Sequence, residues 1–484
     1  MSFPKILGLF SAIALACMLP RLVSAQEMPA EMVKAASAEV APELDESPDK
    51  SDTPAAQQEM KKEEPAPQKE VKKKEPPAAS LPGFKAESPA SVMAVEWEFL
   101  KANSESKDDD VAAAVLPQLS EWLKAYPESE YSEEAMLLKA NLQLRLGDYR
   151  AAVVTLIRHT QEYPGSTLNE AALQQLNITI DKKLNKKVKG PLNDIAKAPA
   201  SGDKAAALAA FVGRLADQFG EEFYAPVLEE FSAFSVRFPA YPGRDALQLS
   251  LGNLYARKGE YMLARLSYEK LIQVYPSSKY LVRAKRALGD VLANNLKDYL
   301  TAIKVYHDIT VNFPGTDEAW AAYLQLPRLT EKQKQYARAV DVYEKIIALY
   351  PDTPEARDAY KSAARVLRED IKNPAKAVEV LNRLADKYKD EKVIDELYLA
   401  AEIARKDLRD IEIEVKMYDR ITAEYPDTED APKALMAAGQ SLEKVKDLEK
   451  AKEYYQKIID TYPEDSLAKK ARKYITALTP QQGT

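Results

Sequence analysis

An aromatic residue followed by proline returns along this chain at a nearly constant interval. The pairs are Tyr126-Pro127, Tyr163-Pro164, Phe238-Pro239, Tyr275-Pro276, Phe313-Pro314, Tyr350-Pro351, Tyr425-Pro426 and Tyr462-Pro463. Successive aromatics lie 37, 75, 37, 38, 37, 75 and 37 residues apart, so each long gap holds two periods. Tyr388-Lys389 stands at the midpoint of the second gap, a copy without its proline. Proline lacks an amide hydrogen and clashes with the preceding turn, so each pair ends a helix. A period just under about 40 residues, closed in this way, predicts stacked helical hairpins that bury their apolar faces only against neighbours.

The segment Asp245 to Pro276, DALQLSLGNLYARKGEYMLARLSYEKLIQVYP, shows one unit. Leu249, Gly252 and Tyr255 share a face of the first helix. Gly252 costs about 1 kcal/mol of helix propensity relative to Ala, and its bare backbone lets the partner helix approach closely. Gly259, within Lys258-Gly259-Glu260, can take the left-handed conformation that ends a helix. Ala264, Tyr268 and Leu271 face back from the second helix, and Pro276 stops it.

Leu251-Gly252-x-x-Tyr255, then Ala264, Tyr268 and Pro276, resemble the tetratricopeptide repeat in order and spacing. The pattern recurs as Gly289, Ala302, Tyr306, Pro314; as Tyr336, Ala339, Tyr343, Pro351; and as Gly439, Ala451, Tyr455, Pro463. Ala140, Gly147, Tyr149, Ala152 and Pro164 fit it earlier in the chain. The resemblance covers roughly residues 91 to 478 and implies an all-α fold, a right-handed superhelix (α-solenoid) of about ten helical hairpins. The Tyr-Pro-x-Ser/Thr joints are similar to those of bacterial envelope repeat proteins. These are the Tol-Pal-associated CpoB (YbgF) family and BamD-like outer-membrane assembly lipoproteins.

Three departures carry expectations. Pro327 stands near the close-contact position of its first helix, predicting a kinked or shortened helix. Glu414 replaces the second-helix Ala, predicting looser packing there. Between Asp181 and Ala205 the pattern lapses into a basic stretch containing Gly190-Pro191. That stretch reads as a degenerate repeat or as a hinge between an N-terminal block, 91–200, and a longer C-terminal block, 201–478.

The first residues read as a secretory signal peptide: Lys5, the apolar run Ile6 to Leu19, then Val23-Ser24-Ala25. The run falls short of the roughly 20 apolar residues that span a bilayer. Cleavage after Ala25 and a periplasmic protein are expected, with no transmembrane segment in the mature chain. Ala14-Leu15-Ala16-Cys17 is also similar to a lipoprotein signal, although Ala14 and Leu15 stand in the reverse of its preferred order, so a lipid anchor at Cys17 is the rival reading. Residues 26–90 are rich in Pro, Ala, Glu and Lys and predict a disordered, semi-stiff tether; 479–484 predict a disordered tail. Cys17 is the only cysteine, which leaves a cleaved chain no disulfide or thiolate site. A net charge of -7 gives no sign of a nucleic-acid partner.

Chemistry has little to work with. His159 and His307 fall in different repeats, and a solenoid joins only neighbours. Without a His cluster or a thiol, zinc binding and Cys-based catalysis are unsupported. Asp108-Asp109-Asp110 lacks the alternating ligands and glycine of a calcium loop and reads as a helix start. No catalytic set, cofactor or metal site is expected.

What remains is a series of non-core positions on first helices, which the resemblance places along a concave groove. They are Asn141, Arg145, Asn253, Arg257, Arg283, Arg286, Arg365, Arg405 and Lys444. Asn141/Arg145 and Asn253/Arg257 share a four-residue spacing that puts both groups on one helix face. An Asn amide bonds peptide groups and Arg clamps carboxylates, which is what an extended peptide requires. The other reading is that these cations complement the helix dipole and stay solvated. The expected function is a non-catalytic scaffold of the bacterial cell envelope that binds protein or peptide segments. The alternatives are a structural, self-assembling spacer and a peptidoglycan- or sugar-binding accessory protein.

Overall fold

The computed structural model describes residues 89–197, 202–219 and 221–479. The expected leader, nearly all of the expected tether and the last five residues lie outside them. The chain separates into two units between Phe99 and Leu100. The first is described only at the start of helix α1 (Pro89–Ser104). The second holds α2 (Asp109–Ala125), α3 (Ser132–Arg145), α4 (Tyr149–Glu162), α5 (Asn169–Lys183), α6 (Lys186–Lys197), α7 (Lys204–Gln218), α8 (Tyr224–Arg237), α9 (Arg244–Lys258) and α10 (Tyr261–Val274). It continues with α11 (Leu281–Asp290), α12 (Tyr299–Asn312), α13 (Asp317–Lys332), α14 (Tyr336–Leu349), α15 (Pro354–Glu369), α16 (Pro374–Lys387), α17 (Ile394–Ile403), α18 (Ile411–Glu424), α19 (Asp430–Lys444), α20 (Leu448–Thr461) and α21 (Ser466–Leu478). There is no strand among the described residues.

The hairpins are bounded by recurring local chemistry. Several second helices start at a side-chain cap, as where Asp298 accepts from the Thr301 amide at 3.2 Å and Asp447 from the Lys450 amide at 3.3 Å; those starting at Tyr261 and Tyr336 do not. Second helices end at the repeated aromatic, whose amide bonds the carbonyl four residues back before proline stops the helix. After α11 the chain runs as a π-helical segment, Val291–Leu296, before the turn. A second such segment, Ala404–Leu408, follows α17.

Within a hairpin the two helices meet where a glycine faces a tyrosine. A Cβ built on Gly289 would lie 2.7 Å from the Tyr306 ring, one on Gly439 2.5 Å from Tyr455, and one on Gly252 closer still to Tyr268. All three rings are fully buried. Their hydroxyls reach back to the first helix: Tyr268 donates to Asn253 Oδ1 at 2.9 Å, Tyr306 to Asp290 Oδ1 at 2.6 Å, and Tyr455 to Glu443 Oε2 at 3.0 Å. Pro327 occupies the corresponding register opposite Tyr343, and that ring is left half-buried. The expected shortening does not occur, because α13 runs 16 residues with Pro327 inside it. Thr330 Oγ1 donates to the carbonyls of Leu326 and Pro327 in the same stretch. Nor is Glu414 loosely packed. It is 2% exposed, accepts from Ser441 Oγ at 2.6 Å and Tyr418 Oη at 3.3 Å, and lies 3.6 Å from Arg405 Nε. Hydrogen bonds fill the place an Ala would have taken.

Two apolar clusters hold the second unit together. One gathers buried side chains from Ala140 to Leu254, the other from Ala264 to Ala471, and Tyr255 packs against both. Along the second cluster, helices pack mainly on their neighbours in the chain, as a solenoid requires. The first cluster is built differently. Helix α4 packs against α7 and α8 as well as α3, α5 and α6, and every residue from Ala151 to Ile157 is buried. A helix buried all round is the centre of a bundle rather than one layer of a stack. Residues 181–205 enter this bundle through the end of α5 and through α6, which packs on α4, α5 and α7.

Gly252→Ala should therefore lower the melting temperature by the equivalent of about 1–3 kcal/mol through overpacking against Tyr268. Gly165→Ala, where nothing lies within 4 Å of the added methyl, should stay within about 0.5 kcal/mol of the parent. Thermal melts of the two variants check the assignment, and equal curves would contradict it.

Candidate functional site

The first-helix residues singled out from sequence lie on α3, α9, α11, α15, the π-helical turn after α17, and α19. Ion pairs tie these first helices into one continuous face from α11 to α17. Arg283 on α11 lies 3.7 Å from Glu318 on α13, Arg365 on α15 lies 2.6 Å from Glu331 on α13, and Arg368 on α15 lies 3.2 Å from Glu402 on α17. Second helices are linked in a parallel series, with Arg383 on α16 bidentate to Glu344 on α14 and Tyr454 on α20 donating to Asp419 on α18.

Within the chosen set the cations differ sharply in freedom. Arg145 Nε donates to Asp109 Oδ1 at 2.9 Å, and its guanidinium also donates to the Ser106 carbonyl. Arg257 donates to the Ala216 carbonyl in the last turn of α7, where a cation complements the exposed carbonyls of a helix end. Asn253 is held by the Tyr268 hydroxyl, whereas Asn141 is exposed. Arg365 is braced by Glu331 and by Asp370 at 3.7 Å, and Arg405 by Glu414. Arg283 and Arg286 are the loosest arginines, 67% and 45% exposed, each with its carboxylate at 3.7 Å. Lys444 is exposed and makes no ion pair among the described residues. The shared Asn-x-x-x-Arg spacing therefore marks two structural clasps in α3 and α9. The open cations lie further along, on α11 and α19.

Sequence reasoning missed a buried ionic network in the first cluster. Arg158 lies 3.2 Å from Glu162 and 3.3 Å from Glu230, Lys139 lies 2.6 Å from Glu229, and Arg237 pairs with Glu162 and Glu128. Lys204 lies 3.2 Å from Glu128 and 3.3 Å from Glu162. Burial works to raise the Glu162 carboxyl, but Arg158, Arg237 and Lys204 outweigh it and hold the group below its ordinary range. Burial does raise Glu230, against the pull of Arg158. The only local signal was the four-residue spacing of Arg158 and Glu162. The other partners come from 42 to 109 residues away.

His159 is fully buried beside this network, with its Nε2 3.4 Å from Glu133 and its ring 5.5 Å from that of Tyr163. Among the described residues, no group of three or more His, Cys, Asp and Glu side chains is arranged to hold a metal ion. No helix among them is long and apolar enough to cross a membrane.

Four segments, residues 134–166, 245–278, 320–353 and 433–465, match the tetratricopeptide repeat. The chain is an all-helical tetratricopeptide-repeat protein, and repeats of this kind are protein-interaction modules. Among solved structures, it is similar to a tetratricopeptide repeat protein from Parabacteroides merdae, at 16% identity over 56% of this chain and 98% of that one, with a TM-score of 0.30. It is also similar to PilW, a type IV pilus biogenesis factor, at 16% identity over 49% of this chain and 100% of that one, with a TM-score of 0.26. Pseudomonas aeruginosa PilF matches at 17% identity over 47% of this chain and 96% of that one, with a TM-score of 0.24. No curated protein matches the chain.

Burial pushes the His159 imidazole below its ordinary value of 6.5, against the opposing pull of Glu133 and Glu162. The unfolded chain thus takes up the proton first as pH falls. Stability is full above about 6.5 and is lost as pH drops toward the folded value. The melting temperature should fall through this window, and the fall should be smaller in His159→Phe. Parallel pH profiles for the two chains would show that His159 is not responsible.

Proposed function

We propose that this chain is a non-catalytic protein-binding scaffold of the bacterial cell envelope that holds an acidic or C-terminal peptide segment along its first-helix face. The observation that carries the reading is the continuous face from α11 to α17, on which Arg283 and Arg286 stand exposed with only distant carboxylates. Exposed pairs of this kind contribute little to stability, so a partner's carboxylate can displace them at small cost. Lys444 extends the same series at α19. The envelope assignment draws on the leader-like first residues and on the Tyr-Pro-x-Ser/Thr joints.

Capture of envelope proteins by the R283E/R286E/K444E variant should fall at least tenfold with helical content and melting temperature unchanged. Capture by the parent should weaken as salt rises, because exposed charges are screened over about 8–10 Å at ordinary ionic strength. Undiminished capture by the variant would remove this face as the binding site. Mass spectrometry of the mature N-terminus should find cleavage after Ala25, and a diacylglyceryl group on Cys17 would replace the released protein with an anchored one.

A further inference from the structure

The hairpin turns carry a feature the peptide face does not use. In a series of hairpins a left-handed residue follows the first helix, and in two of them it is a glycine: Gly147 at φ 81° and Gly259 at φ 87°. In the five successive hairpins from α11 to α20 the same place is taken by Lys297, Lys334, Lys372, Arg409 and Lys446, with φ between 55° and 65°. They recur at intervals of 37, 38, 37 and 37 residues. Residues other than Gly, Asn and Asp rarely take this conformation, because Cβ crowds the following carbonyl at about 1–2 kcal/mol. A cation near a helix C-terminus gains from the dipole, but Lys258-Gly259 places that charge one residue earlier with no strain. The strained placement puts the cation at the tip of the turn.

All five side chains are exposed. Lys297 donates to its own Asn294 carbonyl; Lys334, Lys372, Arg409 and Lys446 make no side-chain hydrogen bond or ion pair among the described residues. The neighbouring carboxylates are committed elsewhere. Glu331 binds Arg365, Asp407 binds Arg368, and Asp298, Asp410 and Asp447 cap the helices that follow. Equivalent positions in stacked repeats fall along one edge. Apolar side chains interleave with the cations there: Leu300 is 53% exposed near Lys297, and Val445 and Leu448 are 54% and 38% exposed on either side of Lys446.

We propose that this turn edge, from Lys297 to Lys446, docks on the surface of an anionic phospholipid bilayer. A Lys or Arg near such a surface is attracted by its negative potential, while exposed aliphatic side chains enter the headgroup boundary. One cation per repeat suits a sheet of phosphates, which offers an anion at any spacing. An acidic polypeptide rises only about 3.3 Å per extended residue and would have to match its carboxylates to the repeat. The edge is distinct from the first-helix face and does not depend on peptide binding there.

The test is co-sedimentation of the full chain with vesicles of phosphatidylglycerol and phosphatidylcholine, and with vesicles of phosphatidylcholine alone. K334G/K372G/R409G/K446G removes four charges and supplies the residue that takes the left-handed turn most readily. Its affinity for the anionic vesicles should fall at least tenfold with no loss of melting temperature, and parent binding should weaken sharply in high salt. K334Q/K372Q/R409Q/K446Q should lose the same affinity, separating charge from backbone freedom. R283E/R286E/K444E should retain most of it, so failure of the peptide face and failure of this edge are distinguishable. Equal vesicle binding by parent and glycine variant overturns the proposal. So does parent binding to polyglutamate with none to anionic vesicles, which would make the edge a site for acidic protein.

Discussion

The repeats depend on the absence of one side chain. Where Gly252, Gly289 and Gly439 face Tyr268, Tyr306 and Tyr455, no Cβ fits, and the ring of the second helix lies directly on the backbone of the first. The contact buries a large aromatic and lets its hydroxyl find an acceptor on the opposite helix. Burial raises the phenol pKa in all three, and the carboxylate acceptors of Tyr306 and Tyr455 raise it further. A neutral donor is thus fixed in each of these three hairpins. Hairpins held at this distance stack with their first helices on one face and their turns on one edge. Both proposed surfaces follow from that arrangement.

The two apolar clusters are held by different physics. From Ala264 to Ala471 the contacts are mainly between chain neighbours, so stability there is a sum of local terms and opening can be graded along the stack. From Ala140 to Leu254 the core closes around α4, and Arg158, Glu162, Glu230 and Arg237 join segments far apart in sequence. Removing one partner from such a set leaves a buried charge without compensation, which costs far more than losing an exposed pair. This part of the chain is expected to unfold as one unit.

The period of the aromatic-proline pairs is enough to read the all-helical repeat fold, and Gly252 by itself marks where two helices come close. The region around α4 is hidden from such a reading because its ionic and polar contacts span 42 to 110 residues, and periodicity reports only neighbours. Glu414 and Pro327 mislead because sequence shows which residue is lost but not what satisfies its replacement. Ser441 and Tyr418 take up the Glu414 carboxylate, and α13 keeps its length around Pro327. Sequence places each candidate site residue on a first helix. It does not tell that Arg145 and Arg257 act as clasps while Arg283 and Arg286 stay open. The left-handed cations show in sequence only as Lys or Arg two residues before a helix, a pattern without meaning until the backbone angles are known.

The central claim is that ring and glycine Cβ exclude each other in space, and a double-mutant cycle on Gly289 and Tyr306 tests it most directly. Gly289→Ala alone places a methyl against the ring, and Tyr306→Leu alone leaves a gap over the glycine. If ring and methyl compete for one space, the double variant is more stable than the sum of the two losses predicts. The coupling should be about 1 kcal/mol or more, in the range seen for residues in contact. Losses that simply add would mean that the tyrosine does not set the helix separation, and the close contact would not be what holds the stack.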